Sequence, residues 1–75
     1  MAGGNRRVGI GSSVRLRYGE LEEAWRIADA AEADAAQGVI SPETPLARAL
    51  IGHQAGDRVT VRSAQPYAVT ILDVG

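Results

Sequence analysis

Hydrophobic and polar positions alternate along three stretches of the chain. Between Ser12 and Tyr18, Val14, Leu16 and Tyr18 alternate with Ser13, Arg15 and Arg17. A period of two marks a half-buried strand, here with an arginine-bearing face in water. Gly19-Glu20 supplies a turn behind it. Arg58-Val59-Thr60-Val61-Arg62 repeats the pattern with Val59 and Val61 facing in. Gln65-Pro66 interrupts it, and Tyr67 to Val74 resumes it, with Tyr67, Val69, Ile71 and Asp73 on one face. The other face carries Ala68, Thr70, Leu72 and Val74, so this strand is expected to be largely buried or central in its sheet. Ser63-Ala64-Gln65-Pro66 joins the two strands as a hairpin.

A different period governs the middle of the chain. Pro45 to Ile51 reads as a short helix: Thr44 is a natural N-cap, and Pro45 stands at the first helical position, where its missing N–H costs nothing. Leu46, Ala49 and Leu50 form its apolar stripe, and Gly52 stops it as a left-handed cap. Leu21 to Gln37 is ambiguous. Leu21, Ala24, Trp25 and Ala28 fall at helical spacing in an Ala- and Glu-rich stretch, which propensity favours as helix. Yet Glu23 to Ala28 also alternates, with Trp25 and Ile27 on one side. A strand there would pair with Ser12–Tyr18 and bring Arg15 and Arg17 opposite Glu20, Glu22 and Glu23, a weak cross-strand attraction. Two strands, a loop, a short helix and two more strands make an α+β layer arrangement.

Composition narrows the function. The chain has 75 residues, one small domain that buries only about 60 % of its unfolded surface. Zero cysteines exclude disulfides, thiolate metal sites and a cysteine nucleophile. One histidine, His53, cannot supply a two-histidine metal site. Apolar runs are too short to span a membrane, and Met1 to Arg7 lacks the apolar core of a signal peptide, so a cytoplasmic protein is expected. Residues 1–7, small and polar with a Gly-Gly pair, read as a flexible leader before a domain over 8–75. A net charge of −1 argues against a dedicated nucleic-acid binder. All eight basic residues are arginine, whose guanidinium suits bidentate pairing with carboxylates at interfaces.

The catalytic inventory is thin. Ser12, Ser13, Ser41 and Ser63 lack a nucleophile-elbow context, and His53, just behind the helix cap, reads as a surface histidine at a helix C-terminus. Glu32 with Asp34, and Glu20 with Glu22, read as solvated carboxylates. Gly9-Ile10-Gly11-Ser12-Ser13 has neither the third glycine nor the lysine of a phosphate loop. No catalytic residue, metal ligand or cofactor is assigned. The more informative stretch is Val39 to Gly52, where Pro42 and Pro45 bracket a stiff turn before the helix. Rigid loops on a scaffold are favoured binding surfaces because docking orders little.

That stretch resembles the C-terminal domain of the GreA and GreB transcript-cleavage factors and of relatives such as Rnk. The family pattern runs Ile-Ser, two variable residues, Ser-Pro-Leu-Gly, one variable residue, Ala-Leu-Leu-Gly, then a Gly-Asp step into a Val-x-Val strand. Ile40-Ser41, Thr44-Pro45-Leu46, Ala49-Leu50, Gly52, Gly56-Asp57 and Val59-x-Val61 take those places in register. Gly11-Ser12-x-Val14-x-Leu16 resembles the opening strand, and Glu32-Ala33-Asp34 followed by Gly38 its acidic loop. Val8 to Val74 is covered.

The resemblance implies an FKBP-like fold, a curved antiparallel sheet packed on one short helix, and a strand where Trp25-Arg26-Ile27 stands. It implies docking on RNA polymerase at the secondary-channel rim, against a coiled coil of the largest catalytic subunit, by a non-enzymatic transcription elongation domain. The contact region carries over to Ser41, Thr44, Pro45 and Leu46, with Ile40 and Glu43 as neighbours. Thr44 in place of serine keeps the capping hydroxyl, while Ala47 in place of glycine adds a methyl. The family's RNA cleavage needs an N-terminal coiled-coil hairpin whose acidic tip helps hold magnesium in the polymerase. This chain begins where the globular domain begins, so it is expected to bind and not to cut. It would be a domain of a longer factor or a free-standing regulator competing for the same site. Other readings are a peptidyl-prolyl isomerase, disfavoured because Tyr18, Trp25 and Tyr67 are few for an apolar pocket, and an interaction domain for another protein.

Overall fold

The computed structural model describes residues 6–75. Six elements follow in order: β1 (Ser13–Tyr18), β2 (Leu21–Ile27), β3 (Val39–Ile40), α1 (Pro45–Leu50), β4 (Arg58–Val61) and β5 (Tyr67–Val74). The strands form one five-stranded sheet in the order β3-β2-β1-β5-β4. It is antiparallel except at one edge, where β3 runs parallel to β2. The α+β arrangement expected from the pattern is therefore present, with the two-residue parallel strand as a departure from an all-antiparallel sheet.

The ambiguity at Leu21 resolves as a strand. Gly19, at φ +62°, opens a two-residue turn that sets Tyr18 opposite Leu21 and zips β1 to β2 as far as Ser13 opposite Arg26. The helical spacing of Leu21, Ala24, Trp25 and Ala28 loses to pairing with β1, which completes a ladder along the whole segment and sends Ile27 fully into the core. Arg17 stands opposite Glu22 as expected, but Arg15 meets Ala24 and Leu16 meets Glu23. Among the described residues, none of these cross-strand charges comes within 4.0 Å of another; the one ion pair is His53–Asp57. The pairing is held by the ladder and the core side chains.

β5 lies between β1 and β4, as its two apolar faces require. Its single alternation does not survive to the end. Arg15 pairs with Asp73 but Leu16 pairs with Ile71, so Leu72 is an extra residue in β5. Such a bulge shifts the phase of every later side chain by one. Val69 and Ile71 face the core, and after the bulge Val74 packs there while Asp73 turns to water. The reading that grouped Asp73 with Tyr67, Val69 and Ile71 is corrected accordingly.

Between β2 and β3 the chain makes two 3₁₀ turns, Ala30–Glu32 and Ala35–Gln37. Asp34 caps the second by accepting from the Ala36 N–H at 3.2 Å. Gly38 then takes φ +78°, and a Cβ there would sit 3.2 Å from the Ala24 carbonyl oxygen. Its own carbonyl accepts from the Arg26 N–H at 2.7 Å and so ties the turn to β2. An L side chain at that φ costs about 1–2 kcal/mol before any contact is counted. Gly38→Ala is therefore expected to lower unfolding stability by about 1–3 kcal/mol, read from the shift in urea midpoint at unchanged m-value.

The core is aliphatic. Leu16, Ile27, Leu50, Val61 and Ile71 are its largest fully buried side chains, with Ala47 of α1 set among them. Chain start and helix end are tied together. The Val8 N–H donates to the His53 carbonyl at 2.8 Å, the Gly52 N–H donates to the Val8 carbonyl at 2.9 Å, and Arg7 bridges Gln54. Of the leader read over residues 1–7, the first five lie outside the described residues. Arg7 is engaged, its guanidinium donating to the Gly52 carbonyl at 2.8 Å.

Candidate functional site

The segment singled out in the sequence, Ile40 to Leu46, folds as a stiff entry to α1. Ile40 pairs with Ile27 at the end of β3, and its side chain is in the core. Ser41 is also buried, at 9 % exposure. Thr44 carries the turn: its hydroxyl donates to the Ser41 carbonyl at 3.0 Å and accepts from the Ala47 N–H at 3.2 Å. The Thr44 N–H donates to that same Ser41 carbonyl at 3.2 Å. One side chain thus closes the loop and caps the helix, with Pro45 at the first helical position. Thr44→Ala should cost about 1 kcal/mol of stability and Thr44→Ser should restore most of it, measured by denaturant unfolding.

These positions therefore divide into support and surface. Ile40, Ser41 and Thr44 hold the loop from beneath, and Leu46 is half-buried against the core. Glu43 and Pro45 are exposed. They open onto a groove of about 280 Å³ between α1 and β4, whose other walls are Arg48, Ala49, Thr60 and Arg62. Ala49 forms the half-buried apolar floor, and both arginines are exposed. Among the described residues neither guanidinium has a carboxylate within 4.0 Å. The groove thus offers two unneutralised planar donor sets beside a short apolar strip and one acid. A guanidinium presents its donors as a fork that matches a carboxylate bidentately.

Arg48, Ala49, Thr60 and Arg62 were not among the residues singled out from the sequence. Arg48 was legible as the outward side of α1, three residues after Pro45, and Arg62 as the outward neighbour of Val61. What no local pattern contains is that α1 lies along β4, which follows it across a turn of seven residues, 51–57.

The remaining chemistry-bearing residues are placed apart from this groove. His53, in the turn after α1, has its Nδ1 3.2 Å from Asp57 Oδ2, which also accepts from the Gln54 N–H at 3.0 Å. The Gln54 N–H foremost, with His53 behind it and partial desolvation acting against them, holds the Asp57 carboxyl below its usual range. This triangle closes the turn into β4, and no serine hydroxyl joins it among the hydrogen bonds of the described residues. No three His, Asp or Glu side chains converge as metal ligands among the described residues. No described helix is long and apolar enough to cross a membrane.

Comparison with known proteins bears on this arrangement. The family model for the C-terminal domain of the GreA/GreB transcription elongation factors matches residues 3–75. Transcription elongation factor GreA of Chloroflexus aurantiacus (strain ATCC 29366 / DSM 635 / J-10-fl) is 46 % identical over 73 residues, covering 93 % of this chain and 46 % of its own. GreA of Mesomycoplasma hyopneumoniae (strain 7448) is 40 % identical over 73 residues, covering 95 % of this chain and 46 % of its own. The chain thus spans about half the length of the curated relatives it matches. The solved structure of GreA factor homolog 1 (Gfh1) of Thermus thermophilus superposes with a TM-score of 0.82 at 22 % identity, over 100 % of this chain and 52 % of that one. At that identity the likeness speaks for the fold alone, and it agrees with the sheet and single short helix seen here. With the family model matched from residue 3 to the last residue, the chain belongs to the GreA/GreB transcription elongation factor family, as its C-terminal domain.

Proposed function

We propose that this domain is a docking module for RNA polymerase, seating at the rim of the secondary channel against the coiled coil of the largest catalytic subunit. It acts by binding, in the cytoplasm, and performs no chemistry of its own. The observation that carries this reading is the groove between α1 and β4. It brings the exposed members of the family's loop, Glu43 and Pro45, beside two guanidiniums without carboxylate partners among the described residues.

A coiled coil buries its a and d seam between its own helices and presents charged side chains, carboxylates among them, at helical spacing outside it. Arg48 and Arg62 would pair with such acids, and the Pro45–Ala49 strip would pack on the aliphatic stems between them. Thr44 and the buried Ile40 and Ser41 fix the loop beforehand, so little ordering opposes association. The test is retention of core RNA polymerase on the immobilised domain, comparing the wild type with Arg48→Glu plus Arg62→Glu. Retention by the wild type and its loss in the variant support the reading. Equal retention by both, or none by either, overturns it.

A further inference from the structure

The chain has three aromatic residues, Tyr18, Trp25 and Tyr67, and all three gather in one place. Alternation puts them there. Tyr18 continues the inward series of Val14 and Leu16, Trp25 precedes Ile27, and Tyr67 precedes Val69 and Ile71. At this end of the sheet the core-facing side is left open: Tyr18 is 47 % exposed, and its cross-strand partner Leu21 is 62 % exposed.

The rings form walls. Tyr18 and Tyr67 meet edge to face, with centroids 5.1 Å apart and planes at 65°. Trp25 lines the same cleft and donates its Nε1–H to Glu23 Oε1 at 3.1 Å. With Glu23, these side chains line an open cleft of about 290 Å³. Among the described residues Glu23 is the one acidic side chain lining the cleft, and no arginine comes within 4.0 Å of it. Trp25 occupies one of its oxygens, and the other keeps its full acceptor capacity.

Aromatic faces carry negative electrostatic potential, and a carboxylate adds a full negative charge, so the cleft is complementary to a cation. Its volume lies at the small end of ligand pockets, which suits one side chain better than a whole ligand. A guanidinium satisfies both features at once, stacking flat on a ring and forking onto a carboxylate. A proline ring would satisfy only the aromatic walls and leave Glu23 facing an apolar group. We propose that this cleft receives an arginine side chain of a protein partner. The surface is separate from the groove between α1 and β4, with no lining residue in common.

Trp25 is the only tryptophan, so its fluorescence reports occupancy directly. The 75-residue chain is titrated with the peptide acetyl-Gly-Gly-Arg-Gly-Gly-amide, and in parallel with the same peptide carrying citrulline or proline at the centre. The arginine peptide should give a saturable change with a Kd of about 1 mM, weakened by salt, and the other two should not. Glu23→Gln, an isosteric change at an exposed position that keeps an oxygen to accept from Trp25, should weaken the arginine peptide about tenfold with an unchanged circular dichroism spectrum. Arg48→Glu plus Arg62→Glu should leave it unaffected, so failure here and failure of polymerase docking are read separately. No saturable change with arginine, an equal response to citrulline, indifference to Glu23→Gln, or preference for the proline peptide would each overturn the proposal.

Discussion

Leu50→Ala is expected to lower the unfolding free energy by about 2–5 kcal/mol. Leu50 is 0 % exposed and is the larger of the two fully buried side chains of α1. The helix is six residues long, far too short to be helical without packing. Its attachment therefore rests on Leu50, on Ala47, and on the half-buried Leu46 and Ala49. A domain of this size has a total stability of only about 4–11 kcal/mol, so the loss consumes a large fraction of it. Truncating Leu50 leaves a cavity at the centre of a core whose other large members, Leu16, Ile27, Val61 and Ile71, are held in a ladder and cannot close it. Urea unfolding followed by Trp25 fluorescence measures this. A change below about 1 kcal/mol would mean that α1 is not seated on the sheet as described. Polymerase retention should fall with stability, because one wall of the groove is α1 itself.

Reversing the two groove arginines is expected to do the opposite: leave the fold intact and remove binding. Both side chains are exposed, and neither has an ion-pair partner among the described residues, so their loss costs the isolated domain little. In a complex each guanidinium makes charge-assisted hydrogen bonds worth about 1.5–3 kcal/mol, or roughly tenfold in affinity or more apiece. Arg48→Glu plus Arg62→Glu should therefore weaken polymerase binding by about 100-fold, and each single reversal by about tenfold. The wild-type affinity should fall as salt is raised, while the double variant should respond weakly or inversely. Leu46→Asp is a poorer probe of the same surface. Leu46 packs half-buried against the core, so a charge there would damage the fold and the contact together. Calorimetric titration with equal melting temperatures for all variants separates the two effects.

Local pattern was enough for most of the architecture. β1, β4 and β5 follow from alternation, and α1 from Thr44, Pro45 and Gly52, because each signal lies within a few residues of what it controls. β2 was not decidable that way. Leu21 to Ile27 satisfies both periods, and only its partner strand across Gly19-Glu20 selects one. The Leu72 bulge left no mark at all: an alternating run reads the same with or without an extra residue, since register belongs to the pairing with β1. The short parallel strand β3 was hidden inside what read as a loop, for two residues are too few to show a period.

The proposed docking surface was half legible for the same reason. The loop from Ile40 to Leu46 stands out by its prolines and its likeness to the family, yet two of its residues, Ile40 and Ser41, turn out to be buried. Their part is to hold the loop. Arg48 and Arg62 sit on elements read correctly, but nothing in either element says that the other lies beside it. The few aromatics counted against a pocket do line one together, with an acid at its side that no apolar substrate would welcome. Composition counted the rings, and only the sheet register could bring them together.

The domain is proposed to occupy the same site on RNA polymerase as full-length GreA, and displacement of one by the other tests this. Full-length GreA bearing a fluorophore is bound to core RNA polymerase, and the 75-residue chain is added while anisotropy is followed. Complete displacement is expected with the wild type, and none over the same range with Arg48→Glu plus Arg62→Glu at unchanged melting temperature. Anisotropy that stays constant with the wild-type chain, or that falls equally with the double variant, would contradict it.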